Sequence, residues 1–167
     1  MISEFGWKQS DLAEQLERAN KLGWLEFFKE ASNKVGMPLG LLLAISSRET
    51  NIRNIKGDGG HGRGLMQIDD RYHQEFLNAN QGGMDPKSNI NYGAGILAAN
   101  FDRAKKAIED PTNRMRAVIA GYNASINKTI DAIRAGKDPD QLTKNKNYSR
   151  DVLARAAIFN QLLNQGA

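Results

Sequence analysis

Cysteine is absent from the 167-residue sequence. This absence excludes disulfide frameworks, cysteine-ligated zinc, iron–sulfur clusters and thiol nucleophiles, and it leaves the redox compartment open. The two histidines of the sequence, His61 and His73, have no partner at a spacing that suggests a metal site. We therefore expect neither a metal ion nor another cofactor.

Long apolar segments are also lacking. The longest strongly apolar stretch runs from Leu41 to Ile45, whereas a membrane-spanning helix needs about 20 such residues. The first residues, Met1 to Phe5, do not combine a basic segment with a following apolar one, as a signal peptide would. We expect no membrane insertion, and the protein is either kept in a cytoplasm, released by another agent, or represented here without its leader.

The composition is that of a globular protein, with 40% hydrophobic and 25% charged residues. The formal net charge is +4, which favours approach to anionic polymers or envelopes in general. Because the basic residues are scattered and form no recognisable binding motif, we expect no nucleic-acid partner. Length predicts one domain over residues 1–167, with an N-terminal helical part at 1–37 and a core at 38–167.

Apolar residues recur at helical spacing along nearly the whole chain, which predicts a mainly α fold. A first helix is expected after a Ser10-Asp11 cap, and a second one is closed by Gly36 and Pro38. The stretch from Leu41 to Ser47 is apolar on nearly all sides, which is typical of a buried helix. Asp85-Pro86 opens a long helix, and further helices are predicted at about 112–122, 125–135 and 147–164.

Only the segment 52–68 departs from helical spacing, and it holds five glycines in the eight residues from Gly57 to Gly64. The run formally satisfies the dinucleotide-binding pattern G-x-G-x-x-G, but that pattern requires a preceding strand and a following helix, which are missing here. Glycine allows positive φ and a close approach of the backbone to a ligand. The segment therefore predicts a glycine-rich loop or a small β-hairpin, and a plain flexible loop stays possible on spacing alone.

Glu49 stands at the end of the buried helix. Apolar surroundings and the negative end of the helix dipole both disfavour a charged carboxylate there. A carboxylic acid that stays protonated near neutral pH is suited to act as a general acid. The alternative is an ordinary surface ion pair with Arg48 or a nearby base.

Asp58 and Asp69 lie on either side of the glycine run, 11 residues apart in the sequence. If the segment is a hairpin, both carboxylates return toward the helix end that carries Glu49. One acid together with one or two carboxylates around a cleft is the machinery that cleaves a glycosidic bond. For Asp69, the capping of a following helix remains the alternative.

Five blocks in the same order resemble goose-type lysozymes, which belong with the soluble lytic transglycosylases in the lysozyme-like fold. The resemblance covers residues 41–157. The blocks are Ile45-Ser-Ser-Arg-Glu49-Thr, Gly57-Asp-Gly-Gly-His-Gly-Arg-Gly-Leu-Met-Gln-Ile-Asp69, Asn89-Ile-Asn-Tyr-Gly-Ala-Gly-Ile-Leu97, Ala120-Gly-Tyr-Asn-Ala124 and Asn147-Tyr-Ser-Arg-Asp-Val-Leu-Ala-Arg-Ala156.

The resemblance implies a role for each matching position. Glu49 falls at the catalytic acid, and Asp58 and Asp69 fall where the family places the aspartates that position or activate the attacking water. The implied substrate-binding residues are Gln67 beside the scissile sugar, Tyr122 and Asn123 along the cleft, Tyr148 facing the acid, and His73, Asn100 and Phe101 in contact with the glycan.

The implied activity is that of a muramidase, which hydrolyses the β-1,4 bond between N-acetylmuramic acid and N-acetylglucosamine with inversion at the anomeric carbon. Its partner is then the peptidoglycan glycan strand, and we expect a monomer. One alternative is a lytic transglycosylase, which forms 1,6-anhydromuropeptides without water. Another is a peptidoglycan-binding module that has no turnover.

The lack of cysteine is typical of a bacterial or phage member of the family. Together with the lack of a visible leader, it suggests a phage endolysin that resides in the host cytoplasm until a holin releases it to the cell wall. A secreted enzyme or an injected effector would have a similar sequence.

Overall fold

The computed structural model describes residues 2–166, which are mainly helical. A small antiparallel sheet of order β1-β2-β3 follows the third helix. The described elements are α1 Gln9–Lys21, α2 Trp24–Val35, α3 Leu39–Thr50, β1 Lys56–Gly57, β2 Gly62–Arg63, β3 Ile68–Asp69, α4 Gln74–Ala79, α5 Pro86–Ala107, α6 Pro111–Asn123, α7 Ile126–Arg134 and α8 Tyr148–Gln165. The predicted mainly α architecture with a hairpin after the Glu49 helix is confirmed.

The chain divides into two compact units, and the boundaries fall within α5 and α8. Unit 1 comprises the residues up to Ala94 and those from Arg155 onward, and unit 2 comprises Gly95–Ala154. The single domain expected from chain length remains a prediction. No helix within residues 2–166 combines the length and the apolar character that crossing a bilayer would need.

The start of α1 differs from the predicted cap at Ser10-Asp11. The helix begins at Gln9, with Lys8 at the N-cap position. Asp11 is therefore the third helical residue, and its carboxylate accepts a 2.8 Å hydrogen bond from the Lys8 N–H. The predicted cap was wrong because an aspartate in the first turn can reach back to the N-cap amide as well as stand at the cap itself.

The buried helix α3 carries the core of unit 1. All residues from Gly40 to Ser47 are buried, which confirms the helix predicted from its all-round apolar character. Gly40 is required by packing, because a Cβ there would lie 2.2 Å from Asn160 Oδ1 of α8. Such close contact on several sides leaves no exposed face until the last turn of the helix.

Two α3 hydroxyls dock the hairpin onto this helix. Ser46 Oγ and Thr50 Oγ1 donate to the same carbonyl, that of Leu65, at 2.8 and 3.1 Å. The next residue, Met66, packs directly over Gly93 of α5, where a Cβ would lie 2.8 Å from Met66 Cβ. The segment between β2 and β3 is therefore held between α3 and α5.

Asn89 of α5 completes the docking of the hairpin. Its side chain is fully buried, and its Oδ1 accepts a 2.8 Å hydrogen bond from the Met66 N–H. Its Nδ2 donates to the carbonyls of Arg63 at 2.8 Å and Gly83 at 2.9 Å. One carboxamide thus satisfies three backbone groups that helix and sheet leave without partners.

The caps of α5 and the three helices after it follow the sequence signals. Pro86 is the first residue of α5, and the Ser88 N–H donates to Asp85 Oδ2 at 2.9 Å. The predicted ranges of α6, α7 and α8 agree with the observed bounds to within one residue at each end. The short helix α4 was not predicted, because six residues are too few to establish a helical period.

In unit 2, a buried carboxylate holds the start of α8. Asp140 is fully buried, and it accepts hydrogen bonds from the N–H groups of Ser149 at 2.7 Å and Arg150 at 3.1 Å. Arg116 Nη2 lies 3.1 Å from Asp140 Oδ2 and compensates its charge. Burying a carboxylate requires such partners, and a helix N-terminus supplies two of them.

Replacing Asn89 tests how much the hairpin depends on this one carboxamide. We expect Asn89→Ala to lower the free energy of unfolding by about 2–4 kcal/mol, because it leaves buried backbone groups unsatisfied. Urea unfolding followed by circular dichroism measures the loss. The matched control is Asn33→Ala on the exposed face of α2, which should change stability by no more than about 0.5 kcal/mol. Equal losses of stability in Asn89→Ala and Asn33→Ala would contradict the role assigned to the Asn89 carboxamide in holding the hairpin.

Candidate active site

Glu49 lies in the last turn of α3, at the border between core and solvent. Arg48 and Glu49 are half-buried, whereas every residue from Gly40 to Ser47 is buried. A carboxyl group at the C-terminal end of a helix meets the negative end of the helix dipole, which disfavours its charged form. Glu49 therefore lies at the helix end where the sequence placed it, and its role as a general acid stays a prediction.

The chain reverses directly after this helix through two left-handed residues. Asn51 has φ 54° and Ile52 has φ 53°. Left-handed backbone is unfavourable for a β-branched residue, at a cost on the order of 1–3 kcal/mol. Arg18 of α1 offsets it, because its Nη1 donates to the carbonyls of Asn51 at 2.6 Å and Ile52 at 3.3 Å.

A polar network lies behind the same helix end. Ser47 Oγ donates to Gln15 Oε1 at 2.5 Å and accepts a hydrogen bond from Arg155 Nη1 at 2.7 Å. Gln15 Nε2 donates to Asn51 Oδ1 at 3.4 Å, and the Arg155 guanidinium lies 5.7 Å from the centre of the Trp7 ring. Both Gln15 and Arg155 are buried, so the network fixes the last turn of α3 from inside unit 1.

Gln67 spans the hairpin from within. Its Nε2 donates to the carbonyls of Ile55 at 3.0 Å and Gly64 at 2.9 Å. A Cβ on Gly57 would lie 2.4 Å from Gln67 Oε1, and a Cβ on Gly62 would lie 2.2 Å from it. Two of the glycines are therefore needed to make room for this side chain. The contact with substrate expected for Gln67 stays a prediction.

Asp58 and Asp69 come together through a residue that the sequence analysis did not single out, Arg71. Arg71 Nη2 lies 2.8 Å from Asp58 Oδ2 and 2.6 Å from Asp69 Oδ2. Arg71 Nε and the Arg71 N–H donate to Asp69 Oδ1 at 3.0 and 2.9 Å. The hairpin thus unites both predicted carboxylates around one guanidinium. The alternative role of Asp69 as a helix cap was wrong, since α4 begins at Gln74 after a His73 N-cap.

The arginine affects the ionisation of this cluster. Its side-chain hydrogen bonds to Asp69 lower the pKa of that carboxyl, although partial burial acts in the opposite direction. The same contacts raise the pKa of Arg71 above its ordinary value. Asp69 is therefore a carboxylate across the whole neutral and mildly acidic range.

His73 belongs to an aromatic cluster in unit 1. Its Nδ1 lies 2.7 Å from the Tyr92 hydroxyl, and its ring meets the Tyr92 ring edge-on at 5.2 Å. Phe76 stacks on the other side of Tyr92, with ring centres 4.1 Å apart. Burial lowers the pKa of His73 and raises that of Tyr92, so both side chains are neutral at pH 7. Tyr72 beside them is 78% exposed.

Two of the residues predicted in unit 2 lie on α5. Asn100 is buried, and its Nδ2 donates to the Val118 carbonyl of α6 at 3.2 Å. Phe101 is half-buried, and the side chains of Lys105 and Arg114 lie 6.0 and 5.9 Å from its ring centre. The glycan contacts expected for Asn100 and Phe101 stay predictions.

The other three lie at the end of α6 and the start of α8. Tyr122 is half-buried, and Tyr148, the first residue of α8, is almost fully buried. Asn123 is exposed, and its Oδ1 accepts a 2.9 Å hydrogen bond from the Lys144 N–H. Their roles toward the substrate also stay predictions.

Sequence reasoning missed Arg71, Tyr92 and Phe76. For Arg71 a local signal existed, because an arginine two residues after an aspartate can turn back onto it. The pairing of His73 with Tyr92 joins residues that are 19 positions apart, and no spacing rule announces it. Within residues 2–166, no three histidine or acidic side chains cluster in a way that could hold a metal ion.

Comparison with known proteins gives a family and several relatives. A family model described as "Lysozyme g" matches residues 9–162. Lysozyme g of Gallus gallus is 30% identical over 150 residues, which cover 84% of this chain and 67% of that protein. Lysozyme G of Dromaius novaehollandiae is 28% identical over 147 residues, covering 82% and 68%. Membrane-bound lytic murein transglycosylase C of Cronobacter sakazakii is 28% identical over 131 residues, covering 73% and 36%.

The ion pair of Asp69 with Arg71 predicts how stability depends on pH. Because folding lowers the pKa of Asp69, its contribution is fully present above the ordinary value of 3.8 and is lost as the pH falls through the lowered one. As the pH falls from about 5 to about 2, we expect the free energy of unfolding to decrease less in Asp69→Asn than in the unmodified protein. Urea unfolding at several pH values measures this.

Asp131→Asn on the surface of α7 controls for the removal of one negative charge. The free energies of unfolding of Asp69→Asn and Asp131→Asn should depend differently on pH in the acid range, since Arg71 holds the carboxylate of Asp69. Parallel loss of stability in Asp69→Asn and the unmodified protein would show that the pair contributes nothing.

Proposed function

Because the chain belongs to the lysozyme g family, we propose that it is a muramidase that hydrolyses the β-1,4 bond between N-acetylmuramic acid and N-acetylglucosamine in peptidoglycan. The observation that carries this proposal is the family match over residues 9–162, which includes α3 and all three strands of the hairpin. The mainly helical chain with its small antiparallel sheet has the lysozyme-like fold. The enzyme is then a goose-type glycoside hydrolase that leads to lysis of the bacterial cell wall.

In this proposal Glu49 is the general acid. It protonates the leaving glycosidic oxygen, which needs a carboxyl group that is neutral near pH 7 and reachable from solvent. Support comes from its location at the half-buried C-terminal end of α3, where both the core and the helix dipole disfavour the charged form. The network of Ser47, Gln15 and Arg155 keeps that helix end in one position.

In the same proposal, the hairpin carboxylates Asp58 and Asp69 hold and activate the attacking water. Asp58 and Asp69 are held within one ion-paired group, and Arg71 keeps Asp69 ionised. We propose inversion at the anomeric carbon, with the water activated on the sugar face opposite Glu49. An inverting enzyme keeps its two carboxyl groups roughly 6.5–9.5 Å apart, whereas a retaining one needs about 5–5.5 Å.

The remaining family roles belong to the same proposal. The residues proposed to contact the glycan strand are Gln67, His73, Asn100, Phe101, Tyr122, Asn123 and Tyr148. The neutral cluster of His73, Tyr92 and Phe76, with Tyr72 exposed beside it, supports a sugar contact on the hairpin side, because aromatic rings offer flat apolar surface with a polar edge.

We also propose that the protein acts as a monomer of phage endolysin type, held in the host cytoplasm until a holin releases it, with a bacteriolytic effect. The absence of cysteine and the net charge of +4, which favours approach to an anionic envelope, support this setting. A secreted or injected enzyme is the competing setting.

A lytic transglycosylase is the second candidate function. The 28% identity to membrane-bound lytic murein transglycosylase C favours it. Such an enzyme uses one acid/base, and the muramyl 6-hydroxyl attacks in place of water. The pair of Asp58 and Asp69 favours hydrolysis, because the transglycosylase reaction needs no carboxylate to hold a water.

Replacing the acid tests the role of Glu49. Glu49→Gln keeps the size of the side chain but cannot donate the proton, so we expect turnover to fall by about 10²–10⁴-fold. Release of reducing ends from purified peptidoglycan measures turnover, and thermal melting checks the fold. Glu109→Gln, an exposed glutamate between α5 and α6, serves as the control and should retain full activity. A fully active Glu49→Gln enzyme would contradict the mechanism.

The products distinguish the two candidate functions. In water enriched in ¹⁸O, a hydrolase places the label in the new N-acetylmuramic acid reducing end, whereas a transglycosylase forms unlabelled 1,6-anhydro ends. We expect labelled reducing ends by mass spectrometry and inversion by NMR of the first-formed anomer. Anhydro ends would establish the second candidate, and a Glu49→Gln digest supplies the blank.

A further inference from the structure

Asp58 is an exception in the backbone of the hairpin. Between Gly57 and Gly64 it is the one non-glycine residue with positive φ, at 51°. Three of the five surrounding glycines, Gly59, Gly60 and Gly64, also have positive φ, and glycine at position 58 would remove the steric conflict of its Cβ. Its side chain is nevertheless a carboxylate, and it is 68% exposed. Aspartate tolerates left-handed backbone better than most non-glycine residues, and one ion pair holds its exposed carboxylate.

Arg71 supplies that contact and is itself held by Asp69. Arg71 Nε and Nη2 meet Asp69 Oδ1 and Oδ2 at 3.0 and 2.6 Å, which is the two-point pairing that fixes a guanidinium plane. The Arg71 N–H adds a third bond, to Asp69 Oδ1 at 2.9 Å. Nη2 then extends to Asp58 Oδ2 at 2.8 Å. The order of the contacts is Asp69, Arg71, Asp58.

The two aspartates differ in how many of their carboxylate oxygens bind Arg71 and in how exposed their side chains are. Both oxygens of Asp69 accept hydrogen bonds from Arg71, and its side chain is 25% exposed. Asp58 meets the guanidinium through Oδ2 and is far more exposed. A general base needs an oxygen lone pair that faces the water, and Asp58 fits this need better than Asp69.

The neighbouring charges do not compete for Arg71. Asp70 lies next to it in the sequence, but its oxygens lie 2.7 Å from His61 Nδ1 and 3.2 Å from Arg63 Nη2. His61 and His73 are the other titratable groups that interact with Asp69. The guanidinium is therefore committed to Asp58 and Asp69.

We propose that Arg71 is a positioning residue of the hydrolysis, oriented by Asp69 and holding Asp58 where it activates the attacking water. This inference rests on the proposed function. Asp58 accepts a proton from the water while the water oxygen bonds to the anomeric carbon. The glycosidic C–O bond breaks, and Glu49 donates its proton to the leaving oxygen. The sum of the step is the addition of one water, and solvent returns the proton from Asp58 to Glu49.

Two substitutions of Arg71 separate geometry from charge. Arg71→Met removes both, and we expect kcat to fall by about 10²-fold with KM changed by less than about threefold, because a misplaced base affects the reaction step more than binding. Arg71→Lys retains the charge but not the two-point pairing, so kcat should stay low. Arg134→Met, an exposed arginine at the end of α7, controls for the loss of one positive charge.

The pH profile supplies a readout that a purely structural role would not change. Removing the guanidinium takes away the positive charge that faces both carboxylates, so the acidic limb of kcat should move to higher pH in Arg71→Met. In Arg71→Lys the limb should return toward its original position, although kcat remains low. A limb that stays in place in Arg71→Met, in a protein with unchanged melting temperature, would overturn the inference.

A double-mutant cycle tests whether Asp69 acts through Arg71. Asp69→Asn should slow the unmodified enzyme by about tenfold or more, but add less than about twofold in the Arg71→Met background. Independent, multiplying effects would mean that Asp69 handles the water itself, which would overturn the assigned roles. If Arg71→Met does not fold, the same cycle is carried out with Arg71→Lys.

The outcome for the inference is separate from that for the proposed function. An unmodified enzyme that releases no reducing ends from peptidoglycan refutes the function. An active unmodified enzyme, together with Arg71→Met at full kcat and with an unshifted acidic limb, refutes only the role of Arg71.

Discussion

The structure of unit 1 depends on how the helix α3, buried from Gly40 to Ser47, comes to its end. A helix leaves its last carbonyl groups without helical partners, and the end of α3 lies at the border between the protein core and solvent. Neighbouring elements therefore have to complete this end. Arg18 binds the carbonyls of Asn51 and Ile52, while Ser46 and Thr50 turn outward to the carbonyl of the hairpin. The same contacts that terminate the helix bring the glycine-rich segment against it.

The position of Glu49 follows from this termination. Every position from Gly40 to Ser47 is buried, and the chain leaves the helix at Asn51. Only the last turn offers a side chain that is partly within the core and partly reachable by a substrate. The polar network of Gln15, Ser47 and Arg155 contacts the turn that carries Glu49 from inside unit 1.

Much of this could be read from the sequence, and the failures have identifiable reasons. The long helix from Pro86 was predictable because its cap, its proline and its apolar period agree with one another. The glycines were ambiguous, since glycine serves flexible loops, close ligand approach and close side-chain packing alike. At Gly57 and Gly62 the reason is the side chain of Gln67, and at Gly64 it is that of Asn89. Crowding between residues that are distant along the chain produces no periodic pattern in the sequence. Arg71 escaped notice for a related reason, because a single arginine among many scattered ones shows its importance only through the two carboxylates it joins.

The charges of the hairpin also have a consequence for the chemistry. From residue 56 to residue 73 the chain carries three aspartates, two arginines and one lysine, a formal charge of zero in a protein whose total is +4. Each arginine is engaged by carboxylates, so the two arginines and the three aspartates lie in fixed ion pairs. Glycoside cleavage develops positive charge on the sugar ring, and preoriented negative charge stabilises it without reorganisation during the reaction. A protein with a net positive charge can in this way still present oriented carboxylates on the hairpin, because the ion pairs of Arg63 and Arg71 fix Asp58, Asp69 and Asp70 in place.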